Sequence, residues 1–162
     1  MSSPIKRLMV YIDGTLQSIT AAHYAVTLAR ALDAEMYAIY VINTRALNDL
    51  LKSHIFIREE EEEYERDLEE DANRYLRHVT KLAEQKGVAV ETIKTSGTVS
   101  VEIKKSIREY DIDLLILGEL SPIRSRREAM LDESERAMRI APCSVLIVKD
   151  EEKVMDIYDN LI

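Results

Sequence analysis

The chain has 162 residues, of which 46% are hydrophobic and 32% charged, and its formal net charge is -8. This length suits one domain with its own core, and the single cysteine, Cys143, excludes an intrachain disulfide and fits a reducing, cytoplasmic setting. The negative charge argues against a nucleic-acid binder, and the absence of a long apolar run argues against a membrane partner.

The first half of the chain alternates between apolar runs and helical spacing. Leu8–Ile12 and Met36–Ile42 are nearly continuous apolar runs, typical of strands buried on both faces of a parallel sheet. Between them, apolar residues recur three or four apart, which predicts an amphipathic helix with Ser18 as its N-cap. Residues 43–57 are interpreted as a loop with a short helical piece.

The second half continues the alternation and closes with an acidic tail. The predicted elements are a long helix at 58–86 capped by Gly87, a strand at 88–95, a helix at 101–110, a strand at 113–117, a helix at 128–140 and a strand at 144–148. This order predicts a single α/β domain with a parallel sheet, helices on both faces and right-handed crossovers. We assign the domain to residues 1–149 and expect the tail at 150–162 to pack on the body or on a dimer partner.

Ligands of open α/β sheets bind beyond the carboxyl ends of the strands, where the strand order reverses. Asp13 follows the first predicted strand and precedes the first helix. Two roles are open for it. Its carboxylate forms an Asx-turn at the start of the helix, or it accepts hydrogen bonds from the base or sugar of a ligand.

Four sequence motifs resemble those of one known family. Asp13-Gly14-Thr15 follows the first strand, Thr95-Ser96-Gly97 precedes a helix, Asp113–Gly118 forms the fourth strand, and Ala141–Val148 contains the last. Together they resemble the universal stress protein family, in the same order and from about Lys6 to Val148.

The resemblance implies an open five-stranded sheet in the order 3-2-1-4-5, the fold of adenine nucleotide alpha hydrolase-like proteins. It further implies ATP or another adenine nucleotide, with Mg²⁺, in the crevice between strands one and four. Asp13 and Val41 match the family positions that hold the adenine and ribose. We place Ile12, Leu117 and Gly118 beside them at the strand ends.

The phosphate motif of the family, Gly-x-x-Gly, nine residues and Gly-Ser/Thr, is degenerate in this chain. Counting from Gly118, the second glycine falls on Ser121, the third on Leu131 and the Ser/Thr on Asp132. A glycine there would let backbone N–H groups approach phosphate oxygens, whereas Leu131 adds bulk and Asp132 adds negative charge. We therefore expect weakened or altered nucleotide binding.

Three arginines in the same loop favour phosphate binding, in contrast to the missing glycines. Arg124, Arg126 and Arg127 are good phosphate ligands, so this loop could hold an anion through side chains in place of the glycines. Alternatively, they form a solvated patch that pairs with nearby acids, which are Glu128, Asp132, Glu133 and Glu135. Both interpretations stay open at this point.

The predicted function is that of a dimeric stress-response binding or regulatory protein with weakened or altered adenine-nucleotide binding. The alternative is a genuine ATP-binding member of the family with slow ATP hydrolysis, in which Arg124, Arg126 and Arg127 replace the glycines. No catalytic constellation is visible in the sequence, so we expect at most weak ATPase activity. The apolar last strand would be an edge strand, and members of the family commonly dimerise through it. We predict a homodimer through Val145, Leu146, Ile147 and Val148, alongside protein partners that the sequence does not identify.

Several other features predict structure rather than chemistry. The glutamate run Glu59–Glu63 opens a long helix, where negative charge suits the helix dipole, and is interpreted as a solvated face. His23, near the predicted crevice, belongs to no metal-binding pattern. Tyr64 and Tyr75, at helical spacing, are predicted to lie in the core.

Overall fold

The structure, a computed structural model, describes residues 3–44, 48, 52, 58–120 and 132–162. Its strands are β1 (Arg7–Ile12), β2 (Glu35–Asn43), β3 (Val90–Gly97), β4 (Leu114–Gly118) and β5 (Ser144–Val148). Its helices are α1 (Leu16–Leu32), α2 (Arg58–Glu84), α3 (Val99–Glu109), α4 (Glu133–Ile140) and α5 (Glu151–Asp159). All neighbouring strands are parallel and run in the order β3-β2-β1-β4-β5, which confirms the predicted fold.

The sheet is covered on both faces because its strands alternate their side chains between two cores. One core joins Leu8, Val10 and Ile12 of β1 to α1, α2 and α5. The other joins Met9 and Tyr11 to α3 and α4. Since β1 is the central strand, its carboxyl end opens at the point where the strand order reverses.

The start of α1 differs from the prediction. The N-cap is Thr15, whose hydroxyl accepts a hydrogen bond from the backbone N–H of Ser18 at 3.2 Å. Ser18, predicted as the cap, lies one turn inside the helix, where its hydroxyl donates to the carbonyl of Thr15. The prediction of Ser18 was wrong because both residues carry a hydroxyl suited to capping, and local spacing does not distinguish them.

The end of α2 confirms the predicted role of Gly87. Gly87 has φ +71°, its N–H donates to Glu84, and the N–H of Val88 donates to Ala83. This is a Schellman motif, in which a glycine in the left-handed region satisfies the last carbonyls of a helix. At 27 residues α2 is long but highly charged, and no helix of the described ranges is apolar enough to cross a membrane.

Helix α4 begins at Glu133, with Asp132 as its N-cap. The predicted helix began at Glu128, and residues 128–131 lie outside the described part of the chain. The extended backbone of Asp132 makes Glu133 the first residue of α4, and the predicted start at Glu128 lies outside the described residues.

The tail forms α5, which packs on α1 and on the end of α2. Val154 and Tyr158, one turn apart, are 3% and 4% exposed. The Tyr158 hydroxyl donates to the carbonyl of Leu82 at 2.7 Å, and its ring meets His23 edge-on at 4.7 Å between centroids. Through Val154 and Tyr158, α5 therefore belongs to the hydrophobic core beside α1.

Candidate functional site

A cavity of about 270 Å³ opens at the carboxyl ends of β1 and β2. The strands contribute Tyr11 and Asp13 from one end and residues 40–43 from the other. Helix α2 closes one side with Tyr64 and Leu68, and Val99 at the start of α3 closes another. Asp13 and Val41, predicted from the resemblance to lie together, both line this cavity.

The carboxylate of Asp13 organises the turn between β1 and α1. Its Oδ1 accepts hydrogen bonds from the backbone N–H of Thr15 at 3.0 Å and from the Thr15 hydroxyl at 2.6 Å. This is the Asx-turn, one of the two predicted roles. The side chain is nevertheless exposed, and Oδ2 accepts no hydrogen bond from the described residues. The second role, as an acceptor for a ligand, is therefore compatible with the first.

Two tyrosines give the cavity aromatic walls. Tyr11 is 6% exposed, and burial raises the pKa of its phenol far above the ordinary value. Burial also raises the pKa of Tyr40, and the negative charges of Asp71 and Asp13 raise it further. Both phenols are therefore neutral hydrogen-bonding groups at physiological pH.

A third tyrosine, Tyr75 of α2, closes over the turn. Its ring stacks on Tyr40 with 6.1 Å between centroids and an interplanar angle of 5°. The same ring lies against Gly14, where a β-carbon would be 2.8 Å from it, and Gly14 has φ +84°. Only glycine suits this position, because both the backbone conformation and the space exclude a side chain.

The other predicted strand-end residues do not line the cavity with their side chains. Ile12 and Leu117 are fully buried and lie in the two opposite cores. Gly118, at the end of β4, packs against the backbone of Gln17. Ile12, Leu117 and Gly118 therefore offer a ligand at the switch point their backbone and not a side chain.

On the β4 side of the switch point, Asp132 caps α4. Its Oδ1 accepts a hydrogen bond from the N–H of Glu135 at 3.1 Å. Ser121, Arg124, Arg126 and Arg127, with which we associated the phosphates, lie outside the described residues.

The cavity contains residues that the sequence did not single out. Tyr64 was predicted to lie in the core from its helical spacing, but both it and Leu68 are half-buried and line the cavity. Tyr11 and Tyr40 belong to apolar strand runs, where a hydroxyl-bearing ring at the strand end was the available signal. Among the described side chains, no group of three or more His, Cys, Asp or Glu is arranged to hold a metal ion.

Comparisons with known proteins agree on one family. The sequence profile of the Universal stress protein family matches residues 4–149. A universal stress protein of Methanocaldococcus jannaschii is 30% identical over 148 residues, covering 91% of this chain and 84% of the relative. A universal stress protein of Bacillus subtilis is 27% identical, covering 88% and 98% of the two chains.

Solved structures of the same family share the fold. A universal stress protein in complex with cAMP has a TM-score of 0.65 at 18% identity and covers 91% of this chain and 98% of its own. A universal stress protein family protein from Arabidopsis thaliana with AMP bound has a TM-score of 0.64 at 14% identity, with coverage of 91% and 94%. At these identities the similarity establishes the architecture.

Proposed function

Because this chain belongs to the universal stress protein family, we propose that it is a dimeric regulatory protein that binds an adenine nucleoside or nucleotide beside Asp13 and Val41. The observation that carries this proposal is the cavity that contains both residues at the carboxyl ends of β1 and β2. We assign the protein a binding role, in the cytoplasm, rather than catalysis.

The cavity suits a base and its sugar. It is apolar and aromatic on most sides, as small-molecule sites usually are, and Asp13 provides the polar group that fixes orientation. Tyr11 and Tyr40 offer faces or edges for a planar base. The cAMP and AMP complexes of two structural neighbours support the choice of an adenine ligand.

A homodimer through β5 is the second part of the proposal. Strand β5 is last in the sheet and pairs with β4 on one side, and no other described strand pairs with its second edge. Its sequence, Ser-Val-Leu-Ile-Val, carries no charge or proline, and Val145, Leu146 and Ile147 remain half-exposed. An uncharged apolar edge of this kind favours pairing with a second strand.

Titration calorimetry tests the ligand. Asp13→Ala removes the proposed acceptor, and we expect it to weaken adenosine or AMP binding about tenfold or more. Thr15→Ala is the matched control, since it removes the 2.6 Å contact within the same turn and leaves the carboxylate in place. Equal affinity for both variants, or no heat from a folded protein with any adenine ligand, overturns the proposal.

Light scattering tests the dimer. The protein is expected to be a dimer at micromolar concentration, and Ile147→Lys to be a folded monomer, because a buried lysine opposes the pairing of two edges. Val101→Lys is the control, since Val101 is 56% exposed on α3. A monodisperse wild-type monomer would refute the dimer and leave the ligand site untouched.

A further inference from the structure

The edge of the sheet opposite β5 is formed by β3 and lies beside a groove. Strand β3 pairs with β2 on one side, and no other described strand pairs with its second edge. A groove of about 420 Å³ runs between β3 and one face of α2. An edge strand presents backbone N–H and C=O groups to which an extended chain can hydrogen-bond. This edge therefore has the groups that an added strand requires.

The face of α2 that lines the groove carries unpaired positive charge. Its lining residues, three or four apart or adjacent in sequence, are Asn73, Leu76, Arg77, Thr80, Lys81 and Glu84. The side chains of Arg77 and Lys81 are exposed, one turn apart, and form no ion pair with any residue that the structure describes. Two free cations thus lie side by side on a protein whose formal net charge is -8.

A third cation, Lys94 of β3, is fixed on the strand side of the groove. Its Nζ lies 2.7 Å from Oε2 of Glu69 and donates a hydrogen bond to Oδ1 of Asn73 at 3.2 Å. The carboxylate of Glu69 offsets the charge of this ammonium group. Arg77 and Lys81 are therefore the charges that remain for a partner.

The two faces of β3 differ in chemistry, and this difference sets the side-chain pattern of a matching strand. Thr92 and Lys94 line the groove on the α2 side, whereas Ile93 packs against the core on the α3 side. The side chains of an added strand alternate between the same two faces. Acidic side chains on the α2 side would meet Arg77 and Lys81, and apolar ones on the other side would meet Ile93.

We propose that this edge binds a partner protein through an extended segment in which acidic and apolar residues alternate. The segment adds to β3 as a further strand, its carboxylates pair with Arg77 and Lys81, and its apolar side chains lie beside Ile93. Since β3 and β5 are at opposite edges of the sheet, the surface stays accessible in the proposed dimer. The inference goes beyond the adenine site and does not depend on it.

Two other occupants match the groove less well. A second copy of this chain, joined by antiparallel pairing of two β3 strands about a two-fold axis, would bring both sets of groove cations to the same face of the joined sheet, where they repel. A nucleic acid would pair with the cations but not with the strand edge, and the net charge of -8 opposes it. An acidic extended segment satisfies both the charges and the backbone.

Fluorescence anisotropy with labelled peptides and the full-length protein tests the proposal. The probe is a peptide in which Glu and Val alternate, and its comparison has the same composition with all the glutamates in one block. The alternating peptide is expected to bind about tenfold or more tightly than the block peptide and than a peptide in which Lys replaces Glu.

Methylation of the probe's backbone nitrogens tests the strand pairing. In an added strand the N–H groups of alternate residues point toward the neighbouring strand. Methylation of the Glu nitrogens and of the Val nitrogens should therefore differ, one abolishing binding and the other leaving it nearly unchanged. Equal effects of the two would show that the peptide does not pair with β3.

A matched pair of variants tests the cations. Arg77→Gln/Lys81→Gln should raise the dissociation constant of the probe about three- to thirtyfold, as expected for the loss of two exposed charge pairs. High salt should reduce this difference, since it screens exposed charges. Lys105→Gln/Arg108→Gln removes the same two residue types from exposed positions of α3, on the other face of the sheet, and should leave the dissociation constant unchanged.

Three further results overturn the inference. Failure of the alternating peptide to bind the folded protein removes the partner that we propose. Equal affinity for the block peptide or for a single-stranded DNA oligonucleotide shows a general attraction for polyanions. An unchanged dissociation constant in the Arg77/Lys81 variant removes the groove as the binding surface. Each of these results leaves the proposed adenine site and the dimer standing.

Discussion

Gly118 and Gln17 pack backbone to backbone where β4 meets the start of α1. A β-carbon at Gly118 would lie 2.5 Å from both the carbonyl carbon and the carbonyl oxygen of Gln17. Neither atom belongs to a flexible side chain, so the contact could be relieved only by moving a strand end against a helix. Glycine at this position sets the distance between β4 and α1 beside the switch point.

We predict that Gly118→Ala lowers the free energy of unfolding by about 1–3 kcal/mol, the usual cost of overpacking a tight site. Gly87→Ala provides the comparison, because nothing lies within 4 Å of its β-carbon and the cost comes from φ +71° alone. That conformational cost is about 1–2 kcal/mol. Urea denaturation of both variants measures the difference. A Gly118→Ala protein as stable as wild type would show that β4 and α1 can separate freely.

The N-cap of α1 gives a second prediction. Thr15→Ala removes the acceptor for the Ser18 N–H and should cost about 1 kcal/mol of stability. Thr15→Ser keeps the hydroxyl and should cost much less. Chemical denaturation of the pair checks this, and a serine variant as unstable as the alanine variant would contradict the role of the cap.

The packing of α5 through Tyr158 gives a third prediction. Tyr158→Phe retains the ring against His23 but leaves the carbonyl of Leu82 without its 2.7 Å donor. We expect a loss of about 0.5–1.5 kcal/mol in the free energy of unfolding. Proteolysis within residues 150–162 should also accelerate. Ile157→Ala, a change at a 37% exposed position of the same helix, is the control and should leave the cleavage rate nearly unchanged.

The burial of His23 predicts a pH dependence. Its Nδ1 contacts the carbonyl of Ile19 at 2.8 Å, and burial lowers the pKa of its imidazole. His78 of α2 lowers that pKa further, whereas the hydrogen bond to Ile19 and the charges of Asp159 and Glu151 on α5 raise it. Burial is the largest of these effects, so the folded protein binds this proton more weakly than the unfolded chain does.

The direction of the pH dependence follows from this difference in proton binding between the folded and unfolded chain. The stability contributed by neutral His23 is complete above the unfolded pKa, about 6.5, and is lost as the pH falls through the lower folded pKa. His23→Gln, which does not titrate, should therefore lose less stability than wild type between about pH 7.5 and about pH 5. Denaturation curves at both pH values measure this. Identical losses in the two proteins would show that His23 is not the titrating group.

Local patterns were sufficient for most elements but not for every boundary. The apolar run Leu8–Ile12 predicted β1, and Gly87 marked the end of α2, because each depends on neighbouring residues alone. The cap of α1 was misassigned to Ser18, since Thr15 becomes the cap only through the turn that Asp13 organises. The candidate site was predicted in part. Motif positions predicted Asp13 and Val41 as site residues, whereas Tyr64 lines the cavity because α2 packs beside the ends of the strands.

The sequence by itself determined that this protein is a parallel α/β domain with helices on both faces of the sheet. Continuous apolar runs alternate along it with segments of helical period, and both patterns are properties of consecutive residues. Tertiary structure alone decided that Tyr64 closes a cavity with Asp13, that Tyr158 reaches Leu82, and that Gly118 touches Gln17. Each of these contacts joins residues far apart in the chain. Such distances depend on how whole helices pack on the sheet, and no local pattern encodes them.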